Sequence, residues 1–563
     1  MRVFLSLGSN LGDRRANIAS ALALLRRAGR VEKISPLYET EPMYLAGQPR
    51  FYNAAAQLET RLSPEDLLAS TAGVEKELKR RRTRPNGPRT MDIDILFYGN
   101  GIIGSPDLAV PHPGLAERAF VLFPLADIAP DFIHPVLGKS VLSLKRSCPG
   151  AAGVRRLPER YAEALDWLYA LKPSSRKNYG PAAEKKMLRA LGDPQEDYPC
   201  AHVAGSNGKT STSMLLARAL TASGYRTGLY ISPHVSDPRE RISVDGEKIG
   251  RGEFFRLFRK VSSFGAELSF FEFLTAMAFL HFSRKNAEIA VIEAGLGGRL
   301  DATSVMTPAA AVITGVSMEH SDLLGGDLTR IARHKAGIIK KGTVAVVNAG
   351  GPALAAVSRR AKALGVPLFR VARQAACRGV SGYQAENLET AAEAARVLSR
   401  RGFCVTRRAL ERAAAGFAPP GRFEERRVRG RTVVFDGAHN PAALERFFSA
   451  LLVRYPGRRV LCVAGVMRDK DARGLAGIFG ANCGLVILTR PSSYRAAEPE
   501  TLAAYLSPQT ARIIKDPARA FKTALESAGP GDILAVCGSF YLISDIKAHL
   551  AGRKASFPRE MIV

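Results

Sequence analysis

The sequence predicts an α/β protein built in three units. Short apolar runs alternate with helix-spaced segments along most of the chain. A glycine-rich turn joins one such strand to a long helix, and the alternation restarts after Pro419-Pro420-Gly421. With 563 residues the chain is long enough for three or four compact domains, which excludes a single small binding module.

The first unit spans residues 1–145, with Val3 to Leu7 as a short strand, Ile18 to Leu25 at helical spacing and Asn53 to Leu58 as a further strand. Lys145 to Gly153 carries Pro and Gly without periodicity, so residues 146–156 read as a linker. The second unit, 157–419, opens with a helical Tyr161 to Leu171. An apolar strand at Cys200 to Ala204 then feeds a glycine turn and a helix at Thr210 to Ser223, the first βα step of a parallel sheet. Strands at Ile289 to Ile292, Ala310 to Thr314 and Val344 to Asn348 make it doubly wound. The third unit, 420–555, is a smaller α/β domain with strands at Thr432 to Phe435, Val460 to Ala464, Leu485 to Leu488 and Ile533 to Val536.

Lys plus Arg number 81 against 52 Asp plus Glu, a net charge of +29, while hydrophobic residues make up 46%, a globular composition. Such a surface attracts nucleic acid, anionic lipid and small polyanions alike. Much of the Arg is dispersed over helical stretches such as Ala19 to Arg30 and Ala391 to Arg401, a pattern shared by solvated faces with no partner. Seven cysteines lie far apart without a C-x-x-C pair, which disfavours a disulfide framework or a zinc site and points to a reducing, cytoplasmic setting. No eighteen apolar residues run uninterrupted, and neither an export signal nor a membrane span is expected.

Met91-Asp92-Ile93-Asp94-Ile95-Leu96 alternates apolar and acidic residues, so in a strand both carboxylates leave one face. That spacing suits hard oxygen ligation of Mg²⁺, with phosphates and waters as remaining ligands; an exposed acidic strand face is the alternative. Lys79, Arg80, Arg81, Arg82, Arg84 and Arg89 lie just upstream, turned back by Asn86-Gly87-Pro88. Guanidiniums beside metal-binding acids point to a nucleoside triphosphate. Val110-Pro111-His112-Pro113 adds an imidazole on a stiff turn, and Glu117-Arg118-Ala119-Phe120 a cation beside an aromatic ring.

With Leu7-Gly8-Ser9-Asn10-Leu11-Gly12 and Phe51-Tyr52-Asn53-Ala54-Ala55, these segments resemble the 6-hydroxymethyl-7,8-dihydropterin pyrophosphokinase family over about residues 1–145. The resemblance implies a ferredoxin-like α/β sandwich in which Asp92 and Asp94 hold two Mg²⁺ ions. It implies that Arg80, Arg82, Arg89, His112 and Arg118 grip ATP, with Arg89 catalytic alongside the two acids, and that Glu75 makes nucleotide or substrate contacts. Thr40, Pro42, Tyr52, Asn53 and Phe120 would frame the pterin. Pro85, inserted before Asn86, departs from the family pattern and leaves the individual arginine assignments open by a position. The chemistry implied is attack of a substrate hydroxyl on the β-phosphorus of ATP, catalysed by positioning and electrostatics.

In the second unit, Gly205-Ser206-Asn207-Gly208-Lys209-Thr210-Ser211 sits between strand and helix. Its glycines free backbone N–H groups to face phosphate, and Lys209 adds a point charge. It is not a strict G-x-x-x-x-G-K-[ST], because Val203 holds the first glycine position. Glu293 closes the run Ile289 to Ile292, placing a carboxylate at the carboxyl edge of the sheet, where ligands of such sheets bind.

Together with Tyr230-Ile231-Ser232-Pro233-His234, Gly295 to Thr303, His320, Ala332 to Lys340, Pro420 to Glu424 and Asp436 to Pro441, the loop resembles the dihydrofolate synthase and folylpolyglutamate synthase family. That family is related to the Mur ligases, and the resemblance covers about residues 157–550. It implies a Mur ligase-like P-loop ATPase domain followed by a smaller C-terminal domain. Ser232, Glu293 and His320 would ligate one or two Mg²⁺, and Asn207, Gly208, Lys209 and Thr210 would bind ATP phosphates. Arg422, Asp436 and His439 would complete the nucleotide site, and Asp301 and the Gly297-Gly298-Arg299 stretch would lie near the pterin acceptor. Lys209 and Lys335 would be catalytic, Lys335 matching the lysine that family members carbamylate. Ser206, Thr210, Ser304 and Glu319 depart from the commoner residues.

The joined expectation is a cytoplasmic bifunctional folate-biosynthesis enzyme acting on ATP, hydroxymethyldihydropterin, dihydropteroate or reduced folates, and L-glutamate. The intervening dihydropteroate synthase is absent from the chain and is its pathway neighbour. The rivals are a Mur-type amino-acid ligase in the C-terminal part and a basic nucleic-acid-binding protein, the latter disfavoured by the retained metal and phosphate residues.

Overall fold

The computed structural model describes residues 1–45, 47–80, 86–171, 180–265, 267–319, 321–372 and 382–552, and the chain forms two compact units. The first comprises residues 1–165 with 255–267; the second comprises 166–254 with 268–563.

The first unit is an antiparallel sheet in the order Asp92–Tyr98, Arg2–Ser9, Phe51–Glu59, Tyr38–Thr40 and Val154–Arg156, with Arg30–Ile34 also pairing to Phe51–Glu59. Alternation sorts each strand into two faces. Leu5, Leu7, Ala54, Ile93 and Ile95 pack with Ile18 of the helix Arg14–Leu24 and Leu67 and Val74 of the helix Pro64–Glu77. Phe4, Ala55 and Leu96 pack on the other side with Leu122 and Leu125 of the helix Ala119–Ile128. Beyond the start of that helix the same face carries Ser6, Gly8, Asn53, Asp92 and Asp94.

The stretch expected to be a linker, 146–156, is partly structural. Val154–Arg156 forms an edge strand with Tyr38↔Arg156 and Thr40↔Val154 in register. The sequence hides it because three residues between glycines and a proline carry no readable period.

Arg14 is the main polar staple of this unit. Although arginine, it is 1% exposed. Its guanidinium donates to the carbonyls of Ser263 (2.9 Å), Ser262 (2.6 Å) and Arg50 (2.7 Å) and pairs with Glu39 at 3.3 Å, stacked 3.7 Å from the centroid of the Tyr52 ring. Tyr52 in turn donates its hydroxyl to the Ser262 carbonyl at 2.6 Å, and Lys260 pairs with Asp13 at 2.8 Å.

The second unit holds two sheets where the sequence suggested separate domains at 157–419 and 420–555. Six parallel strands run in the order Thr227–Tyr230, Ile289–Glu293, Cys200–Ala204, Ala310–Ile313, Val344–Val347 and Leu368–Arg370, extended by two antiparallel strands, Ile242–Val244 and Glu247–Lys248. Cys200–Ala204 lies at the switch in strand order, so the crevice beyond its carboxyl end opens onto the glycine loop. Val203, Val291 and Val312 from this sheet meet Leu216 and Leu220 of the helix Lys209–Ala222 and Leu388 of the helix Tyr383–Ser399. The second sheet runs Glu424–Val428, Arg431–Phe435, Ile533–Cys537, Val460–Ala464, Leu485–Leu488 and Ala511–Ile513, parallel except for its first strand.

Truncating Arg14 leaves three carbonyls and the Glu39 carboxylate buried without their donor. Arg14→Ala is expected to destabilise the first unit by about 3 kcal/mol, whereas Arg27→Ala, which breaks an exposed pair with Glu77, costs less than about 1 kcal/mol. Chemical denaturation monitored by the first unit's signal distinguishes the two.

Candidate functional sites

The first unit contains a cavity of about 230 Å³ on the open sheet face. Its floor is Gly8, paired to Asp92 on one side and Asn53 on the other, and a Cβ there would stand 3.0 Å from Asn53 Oδ1. Asn53 Nδ2 donates to Thr40 Oγ1 at 2.7 Å. Asp92 takes Arg80 on one oxygen (2.7 Å) and Arg89 on the other (2.8 Å). Asp94, two residues on, has no comparable pair among the described residues; burial and the Asp92 carboxylate push its pKa up. Glu75 sits behind the cavity, accepting from the backbone N–H of Ile93 (2.8 Å) and from Arg80, so it positions both the acidic strand and the arginine. Asn10 does the same for Arg89: its Oδ1 accepts Arg89 N–H at 2.8 Å while its Nδ2 reaches Gln48. Arg118 lies 3.3 Å from His112 Nε2 and donates to the Tyr44 hydroxyl at 3.1 Å, near the Phe120 ring.

In the second unit, a cavity of about 140 Å³ lies where the glycine loop meets residues from the second sheet. Gly205 is pressed against Thr314, whose Oγ1 would be 1.8 Å from an added Cβ, and Gly208 adopts φ +83 against Asn387. Only glycine tolerates both approaches. Lys209 Nζ is parked on the carbonyls of Gly205 (2.9 Å) and Ser206 (3.2 Å). Thr210 Oγ1 lies 2.9 Å from Glu293 Oε1 and accepts from Arg422 at 2.7 Å, while Glu293 Oε2 accepts from Ser232 N–H at 3.0 Å. Burial pushes the Glu293 carboxyl up, against the pull of Lys209 and Arg422. Asp436 accepts from the N–H groups of Phe423 and Ala438, both at 2.8 Å, and from the Tyr383 hydroxyl. Burial lowers His439 to about 4, so it is neutral at pH 7.

Nine residues expected in the first site line its cavity: Thr40, Asn53, Arg80, Arg89, Asp92, Asp94, His112, Arg118 and Phe120. Tyr52 does not. It neighbours Asn53 in a strand, so it points to the opposite face, is 0% exposed and serves the Arg14 staple. Pro42 does not line the cavity either; Met43 and Tyr44 beyond it do. Phe51, two positions from Asn53, is the aromatic wall that strand alternation indicates. Arg82 lies outside the described residues.

In the second site Asn207, Gly208, Lys209, Thr210, Ser232, Glu293, Arg422, Asp436 and His439 share the cavity. Asp301 stands apart with its carboxylate already occupied, accepting from Leu296 N–H at 2.8 Å and from the N–H (3.0 Å) and hydroxyl of Thr303. Lys335, 1% exposed, pairs with Glu319 at 2.5 Å. His320 is outside the described residues. Tyr383, Asn387 and Phe540 also line the site; for the first two the signal was a helix burying Gln384, Asn387 and Thr390 among apolar residues.

No three His, Cys, Asp or Glu side chains converge among the described residues. Each cavity instead offers few hard oxygen donors beside cations: Asp92 with Asp94, and Glu293 with the Ser232 hydroxyl. That donor set fits a divalent ion sharing its remaining positions with phosphate oxygens and water.

The sequence profile of the 7,8-dihydro-6-hydroxymethylpterin-pyrophosphokinase family matches residues 4–130, that of the Mur ligase middle domain residues 203–399, and that of the Mur ligase glutamate ligase domain residues 421–540. The chain is 33% identical over 432 residues to a probable bifunctional folylpolyglutamate synthase/dihydropteroate synthase of Halobacterium salinarum, covering 69% of this chain and 51% of that protein. It is 32% identical over 415 residues to a dihydrofolate synthase/folylpolyglutamate synthase of Mycobacterium tuberculosis, 63% of this chain and 83% of that protein. Its N-terminal part is 49% identical over 142 residues to the folic acid synthesis protein fol1 of Pneumocystis carinii, 25% of this chain and 19% of that protein. The chain spans about half the length of the first curated relatives it matches. A Yersinia pestis bifunctional folylpolyglutamate synthase/dihydrofolate synthase solved with Mn, AMPPNP and L-glutamate superposes with a TM-score of 0.63 at 29% identity, covering 70% of this chain and 98% of that one. The chain belongs to the dihydrofolate synthase/folylpolyglutamate synthase family of Mur-type ligases and carries a 7,8-dihydro-6-hydroxymethylpterin-pyrophosphokinase domain at its N-terminus.

Proposed function

We propose that the chain catalyses two ATP-dependent steps of folate biosynthesis: pyrophosphorylation of 6-hydroxymethyl-7,8-dihydropterin, and ligation of L-glutamate to dihydropteroate, reduced folates or both. The observation that carries this is one chain with two separate cavities, each setting oxygen donors for a divalent ion against cations for phosphate. Two Mg²⁺ in the first site and one or two in the second would shield the phosphates and polarise the reacting phosphorus.

In the first cavity Arg80, Arg89 and Arg118 stabilise charge building on ATP as the pterin hydroxyl attacks the β-phosphorus. Thr40 and Asn53 offer hydrogen-bonding groups to the edge of a flat heterocycle, with Phe51 and Phe120 available for stacking. In the second cavity the loop amides and Lys209 hold the triphosphate, and release of Lys209 from its two carbonyls to the γ-phosphate assists transfer to the acceptor carboxylate. The glutamate amine then attacks the carbonyl carbon of the acyl phosphate, forming the amide as the carbon–oxygen bond breaks and inorganic phosphate leaves. Arg422, bridging to Thr210, ties the second sheet's residues to the loop that performs this transfer. Bound L-glutamate and a metal–nucleotide pair in the Yersinia pestis structure support the reading. In this reading the protein works in the cytoplasm, with dihydropteroate synthase activity as the pathway neighbour that supplies the ligase acceptor.

Asp92→Ala is expected to reduce AMP formation from ATP and hydroxymethyldihydropterin by at least about 100-fold; retention of half the wild-type rate would refute the assignment. Glutamate ligation should survive in that variant. Conversely, Lys209→Ala should stop incorporation of labelled glutamate and leave AMP formation intact. The wild-type chain, given Mg-ATP and labelled glutamate with dihydropteroate in one tube and tetrahydrofolate in another, should label at least one acceptor. Label on neither, with label on a nucleotide-sugar acceptor, would overturn the folate reading in favour of a Mur-type ligase.

A further inference from the structure

Arg14 does not line the first cavity, yet it holds the strands whose other face does. Glu39 and Tyr52 stand opposite each other in register, and both meet Arg14, the carboxylate at 3.3 Å and the ring at 3.7 Å from its centroid. Their strand neighbours Thr40, Phe51 and Asn53 therefore turn to the cavity. Arg14 also donates to the Arg50 carbonyl at 2.7 Å. Glu39 and Arg50 flank the stretch that supplies Met43, Tyr44 and Gln48 to the same cavity, so one side chain fixes both of its ends.

A guanidinium carries five N–H groups in one plane. Those of Arg14 are all occupied: two face Glu39, one the Arg50 carbonyl, and the others the carbonyls of Ser262 at 2.6 Å and Ser263 at 2.9 Å. The last two acceptors come from 255–267, a piece of the first unit that lies within the stretch matched by the Mur ligase middle-domain profile, residues 203–399. That piece is shaped to the guanidinium. Gly265, at φ +67, lies so close that an added Cβ would stand 3.1 Å from Arg14 Cζ. Asp13, which caps the helix Arg14–Leu24 through Ala16 N–H, pairs with Lys260 at 2.8 Å and ties the same piece from the preceding residue. A rigid fork saturated on both sides cannot follow one set of acceptors without leaving the other.

We propose that Arg14 is a positioning residue for pterin recognition and makes the pyrophosphokinase site depend on residues 262–265. The proposal rests on the pyrophosphokinase reading above. A shift of the 262–265 backbone pulls the guanidinium away from Glu39 and Arg50, and Thr40, Phe51 and Asn53 lose their preset geometry. The flat heterocycle then has to order its own walls as it binds. That loss of preorganisation weakens pterin binding and leaves the phosphate-transfer chemistry alone. Linkage is reciprocal, so a bound pterin steadies residues 262–265 in turn.

The test measures AMP formation over a range of hydroxymethyldihydropterin and of ATP concentrations. Gly265→Ala presses a methyl group against Arg14 without touching the cavity, and Arg14→Lys keeps a charge for Glu39 but loses the fork. Each should raise KM for the pterin about fivefold, with kcat and the KM for ATP unchanged. Ile18→Val, which trims the buried core on the same helix, should lower the melting temperature and leave both KM values at the wild-type level. In the wild type, hydroxymethyldihydropterin with the α,β-methylene analogue of ATP should slow amide hydrogen exchange at 260–265, and Arg14→Lys should abolish that protection. A wild-type pterin KM in Gly265→Ala, a rise matched by Ile18→Val or by the KM for ATP, or exchange at 260–265 that ignores the ligands would overturn the coupling. Any of these in a chain that forms AMP removes this proposal alone; no AMP from the wild type with both substrates removes the pyrophosphokinase reading with it.

Discussion

Each cavity depends on holding opposite charges a few ångströms apart while leaving room for phosphate between them. The protein does this with hydrogen bonds to the backbone. Lys209 rests on two loop carbonyls, and Glu293 is fixed by Ser232 N–H and Thr210. In the first site Asn10 holds the Arg89 backbone and Glu75 the backbone of Ile93, so the reacting side chains are aimed by residues that need not touch the ligand. Buried ions of one sign are costly when stripped of partners. These backbone and positioning contacts fix the charges in place.

Close backbone approach is the second shared device. Gly8, Gly205 and Gly208 stand where side-chain oxygens press against the chain, and a methyl group at any of them would fill space the ligand or loop requires. The second sheet repeats it at Gly437, where an added Cβ would strike Phe540, the ring over which Arg422 lies at 4.7 Å. The cation that bridges to Thr210 is thus seated on an aromatic face reached only because its neighbour lacks a side chain.

Features with a local signature were legible in the sequence. Asp92 and Asp94 declare a shared face by spacing alone, and the Gly205 to Thr210 turn declares a phosphate loop by its place between a buried strand and a helix. Tyr52 was assigned to the pterin through the family resemblance, but the strand period forbids it and Asn53 from facing one ligand; Phe51 is the residue the period selects. The edge strand Val154–Arg156 was illegible because its partner, Tyr38–Thr40, lies more than a hundred residues earlier. Asp301, which the family resemblance puts near the acceptor, does not line the nucleotide cavity; its oxygens accept from Leu296 and Thr303, contacts that nothing in the local sequence indicates. Arg14 was invisible for a similar reason: its acceptors at Ser262 and Ser263 are 248 and 249 residues away.

That last contact sets a limit on modularity. A fragment cut after residue 165 would keep the whole antiparallel sheet of the first unit and every residue lining its cavity, and by sequence alone would pass as a self-sufficient domain. It would lack the carbonyls that receive the Arg14 guanidinium and the Tyr52 hydroxyl, both of which are buried in the intact chain. The short piece 255–267 is therefore a prosthetic part of the N-terminal fold supplied by a distant stretch of gene. Separating the first 165 residues from the rest of the chain would require redesign of the surface around Arg14, with an apolar or self-satisfied side chain there.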